Sequence, residues 1–537
     1  MPRVRRRPPV RLSAPPDAVR AAALTCLDAT ALDDGRVRVA VADHGLPDVA
    51  VNLELTQSAS GDTLIATERV GRVRIPFFGW AFRPLISISQ GRTTRYAVAR
   101  LQAELAGTEH PLLPAPVVGL PTAPFTDGQA THLASAAAAL AVVSFSTALV
   151  GQFGGPIKHT FGATDTSFSI ALAVTRIGAL IALIGIALAD RRGRRWSILI
   201  GVAGSALACG ISAFSPSLAF LTGAQIFQRA FLIVTATVAT VAVVEEAPEG
   251  ARAYSTSMLA LAGGFGFALS VVALPIADIG DQAWRVPFAL GTLALLLVRP
   301  IARTLSETTR YEALAQTEIS RGRVRDIRDR GYGRRFLVMA AVVMLLNVFS
   351  APSSQLTNTY LTDVRHFSNS GIALFRTVTT GIPGLFGLLI GGRLAEVRGR
   401  RPIAAVALTI ATATQMVFFL ASGPVIWFMS AASIIAASAG GIALGTLGTE
   451  LFPTETRSTS NGLLGVIGVL GSALGFVLTG LLASSKGELG RAIAFCGIAS
   501  LVAAIFLVPR LPESAALALD DVSPPDARPP EEYGRSA

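Results

Sequence analysis

The sequence predicts an all-α membrane protein, twelve transmembrane helices in two six-helix pseudo-symmetric halves, behind a small α/β domain. Three observations predict it. The 537 residues are 51% hydrophobic and only 15% charged, with mean hydropathy +0.54, whereas soluble domains carry about 25% charged residues. Apolar segments recur from Thr131 to about Val508, each near the roughly 20 residues that a helix needs to cross a bilayer. Motifs in the first half of that region return in the second half at a fixed offset.

The same figures exclude disorder, collagen and a secreted disulfide scaffold. Cys26, Cys209 and Cys496 are odd in number and scattered, so neither a cysteine framework nor a zinc spacing exists. A net charge of +11 and a pI near 10.4 could fit a nucleic-acid partner, but the basic residues are dispersed. Apart from Lys158 and Lys486 they are all arginine, which reads as a coding bias. The expected partners are a small-molecule substrate and the lipid bilayer, with no nucleic acid, and the chain is expected to work as a monomer.

Taken in order, residues 1–107 read as a cytoplasmic α/β domain. Val10–Leu12 is a strand, Pro16–Leu27 a helix, Arg36–Ala42, Val49–Leu55 and Thr63–Val73 strands, and Thr93–Glu104 a closing helix. That order is similar to the helix-grip lipid-binding fold, with fewer strands. The aromatic stretch Pro76–Phe82 is expected to rest on a membrane surface. Residues 108–130 form an extended proline-rich linker. Residues 131–301 and 336–515 are the two six-helix halves, joined by a cytoplasmic loop at 302–335, and 516–537 is a tail. The twelve spans centre near Val143, Gly178, Gly204, Thr235, Ala268, Thr292, Met344, Gly384, Ala411, Ala436, Gly471 and Ala499. Connections after even-numbered spans hold the arginine clusters, such as Arg191–Arg195 and Arg398–Arg401. By the positive-inside bias both termini lie in the cytoplasm, and the membrane is the plasma membrane.

The repeat is specific. Gly185-Ile-Ala-Leu-Ala-Asp190-Arg-Arg-Gly193-Arg194-Arg195 returns as Gly391-Gly-Arg-Leu-Ala-Glu396-Val-Arg-Gly399-Arg400-Arg401, 206 positions on. Glu245-Glu-Ala-Pro248-Glu-Gly-Ala-Arg252 returns as Glu450-Leu-Phe-Pro453-Thr-Glu-Thr-Arg457, and Leu305-Ser-Glu307-Thr308 as Leu511-Pro-Glu513-Ser514. Such internal duplication marks two parallel halves related by an axis along the membrane normal. At these residues the chain resembles the major facilitator superfamily of secondary transporters, nearest the metabolite:proton symporter and sugar-porter branches. Trp284-Arg285 at the start of span 6 is similar as well.

The resemblance implies alternating access, and a cytoplasmic gate built from Asp190, Gly193, Arg194, Glu245, Arg252, Glu396, Gly399, Arg400, Glu450 and Arg457. Physically, Gly193 lets two helices reverse within a few residues. Asp190 closes a helix whose C-terminal dipole opposes it, so it needs another partner, such as the helix start at Ser458-Thr459-Ser460. The glycine row Gly462, Gly465, Gly468, Gly471 and Gly475 of span 11 reads as a close-packing face.

Ionisable groups deep in a membrane are costly and usually functional. Arg176, Arg229 and Arg376 lie inside predicted spans, while no Asp or Glu lies inside any span away from the ends. A cavity with buried arginines and no carboxylate favours an organic anion, because guanidinium pairs bidentately with carboxylate and phosphate. Span 7 carries Asn347, Ser350, Ser353, Ser354, Gln355 and Asn358 around the helix-bending Pro352. In the superfamily, spans 1, 4, 7 and 10 line the cavity. The candidate substrate residues are therefore Arg176, Gln225, Gln228, Arg229, Asn347, Gln355 and Arg376, with Gln152 beside them. No cofactor is called for; proton coupling stays open, with no evident carrier inside the spans. Two alternatives remain at this point: an exporter of lipid-like compounds, and a non-transporting sensor or tethered lipid-binding protein. No catalytic or Walker motif is present, so the chain does not read as an enzyme.

Overall fold

In a computed structural model the described residues are 10–27, 29–32, 36–40, 50–58, 62–70, 75–112, 125–248, 251–307, 333–384, 386–387, 394–395, 398–452, 454–483 and 488–513. They fall into two compact units. One holds Met1–Ala139, Ala239–Ala262 and Pro300–Tyr311; the other holds Leu140–Val238, Gly263–Arg299 and Glu312–Ala537.

In the first unit an antiparallel sheet is built from β1 (Val10–Leu12), β2 (Ala29–Ala31), β3 (Val37–Ala40), β4 (Ala50–Gln57) and β5 (Thr63–Val70). Its order is β1-β5-β4-β3-β2, with Val10 opposite Ile65. Side chains alternate across a strand, so Val37, Val39, Val51, Leu53 and Ile65 share a buried face. The helices α1 (Pro16–Cys26) and α2 (Gly79–Ala106) supply Val19, Ala23, Ala97 and Leu101 to the same core. Two features differ from the sequence expectation. β2 is an additional short strand, and the closing helix begins at Gly79 rather than Thr93. The stretch expected on a membrane surface is thus partly the first turn of α2: Phe82 packs against the core while Trp80 is 62% exposed. Pro84 is the sixth residue of α2, past the first turn, so the helix lacks the bond that an N–H there would make to the Trp80 carbonyl.

The first membrane helix, α3 (Asp127–Gln152), starts on a reciprocal cap. The Gln129 N–H donates to Thr126 Oγ1 at 3.2 Å and the Thr126 N–H donates to Gln129 Oε1 at 3.0 Å, which satisfies two otherwise orphaned donors.

The second unit is helical. Its elements are α4 (Gly154–Phe161), α5 (Asp165–Val174), α6 (Gly178–Arg192), α7 (Arg194–Ala213), α8 (Leu218–Glu246), α9 (Arg252–Val272), α10 (Arg285–Thr292), α11 (Leu295–Thr304), α12 (Gly333–Asp363) and α13 (Asn369–Arg376). After these come α14 (Arg400–Leu420), α15 (Val425–Glu450), α16 (Thr454–Leu482) and α17 (Leu489–Val502). α8, α9 and α11 each run partly into the first unit. Among the described residues eleven helical segments are long and apolar enough to cross a bilayer. The remaining predicted span begins as α13 and a π-turn at Thr377–Gly381, and continues into residues outside the described set. Outward-facing side chains are large and apolar, Ile184 at 70% and Phe428 at 73% exposure among them, which suits lipid rather than water.

Two sets of glycines fix the close helix contacts. A Cβ at Gly178 would run into the Ile226 carbonyl and Arg229 Cβ, and Cβ atoms at Gly471 and Gly475 would run into the carbonyls of Met344 and Val348. α6 therefore lies against α8, and α16 against α12. The glycine row of α16 is split, as a three-residue step around a helix requires: Gly471 and Gly475 meet backbone, whereas Gly462 and Gly465 meet nothing within 4 Å.

Candidate functional site

Between α5–α6, α8, α12, α15 and α16 lies a cavity of about 600 Å³. One wall is cationic. Arg176 sits in the 3-10 turn Thr175–Ile177 that joins α5 to α6, and Arg229 lies on α8. The glycine contact at Gly178 brings these two helices close enough for both guanidinium groups to reach one space. Arg176 is 3% exposed, with its guanidinium carbon 4.9 Å from the centre of the Phe476 ring. Its Nε and Nη2, and the Nε of Arg229, are buried without a hydrogen-bond partner among the described residues. The rest of the lining is uncharged: Asn347, Ser350, Ser354 and Gln355 of α12 with Asn461 and Ser472 of α16 supply polar groups, among the apolar Met339, Val343, Leu444, Leu464 and Val469.

Four of the seven residues expected at the substrate, Arg176, Arg229, Asn347 and Gln355, line this cavity. The other three bond elsewhere. Gln225 donates to Ser212 Oγ at 2.9 Å, and Gln228 donates to Ser205 Oγ at 2.6 Å and Thr147 Oγ1 at 3.3 Å. Both thereby hold α8 against α7. Arg376 donates from Nε to Asn358 Oδ1 at 2.8 Å and from Nη2 to the Ser354 carbonyl at 3.2 Å.

Asn358 in turn donates to Gln152, at 2.6 Å to Oε1 and 3.0 Å to the carbonyl. The two residues are 206 positions apart, the spacing of the sequence repeat. Lys158 and Asp363, 205 apart, also pair, and Lys158 holds Asp165 as well. At the same end, Asp278 accepts from the backbone N–H groups of Asn369 and Ser370 at 3.0 and 2.8 Å. Thr166 Oγ1 donates to the Gly480 carbonyl at 2.7 Å. These bonds tie helix ends together beside the α4–α5 connection.

Of the residues expected in the gate, Gly193 and Gly399 adopt nearly the same backbone conformation, φ 103°, ψ 154° and φ 98°, ψ 147°. Left-handed backbone of this kind favours glycine. Arg194 and Arg400 begin the helices that follow, and Glu245 stands near the end of α8. The side chains of Asp190, Arg252, Glu450 and Arg457, and the whole of Glu396, lie outside the described residues.

A family model of the Major Facilitator Superfamily matches residues 135–449, and 377–527 in a second match. The chain belongs to the Major Facilitator Superfamily. It is a multi-pass membrane protein and a secondary transporter. A probable 4-methylmuconolactone transporter of Cupriavidus pinatubonensis is 26% identical over 370 residues, covering 67% of this chain and 84% of that one. A citrate-proton symporter of Klebsiella pneumoniae is 26% identical over 404 residues, covering 68% and 89%. Among solved structures, a bacterial homologue of the lysosomal transporter Spinster superposes with TM-score 0.60 at 17% identity over 72% of this chain and 97% of that one. An E. coli xylose transporter superposes with TM-score 0.58 at 18% identity over 73% and 98%.

Within this superfamily fold, one site residue went unassigned in the sequence reading. Glu513 accepts the backbone N–H of Arg400 at 2.9 Å through Oε1 and that of Arg401 at 3.1 Å through Oε2. A Cβ on Gly399 would stand 2.9 Å from Glu513 Oε2. Gly399 thus both turns the chain and leaves room for the carboxylate that caps α14, where it complements the helix dipole. The signal was present in the repeat of Leu305-Ser-Glu307 as Leu511-Pro-Glu513.

Proposed function

We propose that this transporter moves a small organic anion by alternating access, through twelve spans arranged as two six-helix halves. The observation that carries the reading is the pair Arg176 and Arg229: two guanidinium groups turned to one cavity, with buried nitrogens unpartnered among the described residues and no Asp or Glu inside any predicted span away from its ends. Buried charge is costly unless paired, and a carboxylate-bearing solute would pair it. That one relative is named a citrate-proton symporter and another a muconolactone transporter supports the same reading.

The arginine distribution supports cytoplasmic termini and the plasma membrane. On that orientation the Lys158–Asp363 seam is the outer closure and the Gly193 and Gly399 turns belong to the inner gate, together with Asp190, Arg194, Glu245, Arg252, Glu396, Arg400, Glu450 and Arg457. Coupling to protons, as in the citrate relative, would have to use groups at the span ends. The strand order β1-β5-β4-β3-β2 and the long closing helix support reading the front domain, residues 1–107, as a reduced helix-grip fold.

The test is uptake into proteoliposomes from a panel of radiolabelled organic acids. At least one acid is expected to accumulate, with uptake falling at least tenfold in Arg229→Ala. Undiminished uptake of an anionic substrate by that variant would overturn the reading.

A further inference from the structure

We propose that the solute carries two negative charges, one for each guanidinium, and itself supplies the counter-charges that the cavity lacks. This rests on the anion reading above and adds the number of charges to it.

The two arginines are exceptions in their own structure. Lys158 is held between Asp165 and Asp363. Arg376 donates to Asn358 and a carbonyl, Arg365 to Tyr360 and the Ala421 carbonyl, and Arg285 to the Ala213 carbonyl. Arg176 and Arg229 have no such bonds among the described residues, though Arg176 is as buried as any charged side chain in the helical unit. The carboxylates on their own helices are remote. Asp165 is 11 residues before Arg176, about 16 Å at 1.5 Å per residue, and is already taken by Lys158. Glu245 is 16 residues beyond Arg229, about 24 Å.

The rest of the cavity has little for a third charge. The described lining opposite the arginines is uncharged: amides and hydroxyls that hydrogen-bond a neutral part of a solute, glycines, and the apolar Met339, Val343, Leu444, Leu464 and Val469. A monoanion leaves one guanidinium buried and unmatched, and a trianion places one carboxylate against neutral groups. A dianion balances the site. Close charge pairs at buried interfaces carry couplings large enough for a tenfold or greater affinity change.

The experiment measures ligand-induced thermal stabilisation of the purified full-length protein at pH 7.5 with four compounds related in chain length. These are glutaramide (neutral), pentanoate (one charge), glutarate (two) and propane-1,2,3-tricarboxylate (three). Glutarate is expected to act at a concentration at least about tenfold lower than pentanoate or the tricarboxylate. Arg176→Gln and Arg229→Gln should each weaken glutarate and leave pentanoate nearly unchanged, which removes the preference. Arg176→Lys, which keeps the charge, should keep the preference and serves where the Gln variant does not fold. If pentanoate or the tricarboxylate matches glutarate in the wild type, or the preference survives both Gln variants, the two-charge proposal is overturned and the anion reading stands. If glutaramide matches glutarate, or no acid stabilises the protein, the anion reading itself fails.

Discussion

Gly193 and Gly399 hold φ values of 103° and 98° at the two copies of the repeated signature. With ψ near 150° as well, this is a region almost confined to glycine, and any side chain there costs about 1–3 kcal/mol in backbone strain. Gly399→Ala carries a second cost, because its Cβ would crowd Glu513 at 2.9 Å and disturb the cap on α14. Both alanine variants should melt at lower temperature than the wild type, Gly399→Ala by more; equal melting would remove the structural role given to Glu513. Glu513→Ala should cost about 1 kcal/mol by leaving two helix donors uncapped, measured in the same thermal unfolding experiment.

The contact of α6 with α8 decides whether the arginines share a cavity. Gly178→Val would press a branched side chain on the Ile226 backbone, which has no rotamer to yield. Overpacking of this kind costs about 1–3 kcal/mol, and here it also separates Arg176 from Arg229. Stabilisation by organic acids should be lost in Gly178→Val, while Gly462→Ala, whose Cβ meets nothing within 4 Å, keeps it. At this scale the apolar segments and the turn glycines were legible in the sequence, since both follow from local composition. So was the meeting of Arg176 and Arg229 with Asn347 and Gln355, which follows from charge inside spans and the polar density of α12. The diversion of Gln225 and Gln228 was not legible, because their partners Ser212 and Ser205 lie on α7 and only tertiary packing sets that register. The position of Arg376 off this lining was not legible for the same reason: its bond to Asn358 depends on how α13 docks on α12. In the front domain, β2 escaped notice because three residues carry no readable alternation.

Across the whole molecule, the Lys158 seam is the closure that we propose at one end of the cavity. The side chains of Lys158, Asp165 and Asp363 are 10%, 15% and 33% exposed. That partial screening puts the loss of the lysine nearer 1–2 kcal/mol than the larger cost of a fully buried pair. About 1.4 kcal/mol is a tenfold shift in population. In a cysteine-free protein carrying Gln355→Cys, Lys158→Gln should speed labelling by an impermeant thiol reagent added from the α4–α5 side by roughly tenfold. The swap Lys158→Asp with Asp363→Lys should restore slow labelling in part, Asp165 being left beside a like charge. Unchanged labelling would mean that the seam does not control access. The central claim is that an anion sits between Arg176 and Arg229. It is tested most directly by an experimental structure of the full chain with a stabilising organic acid bound. The account predicts acidic oxygens at about 2.7–2.9 Å from nitrogens of both guanidinium groups, and an acid bound away from both arginines would contradict it.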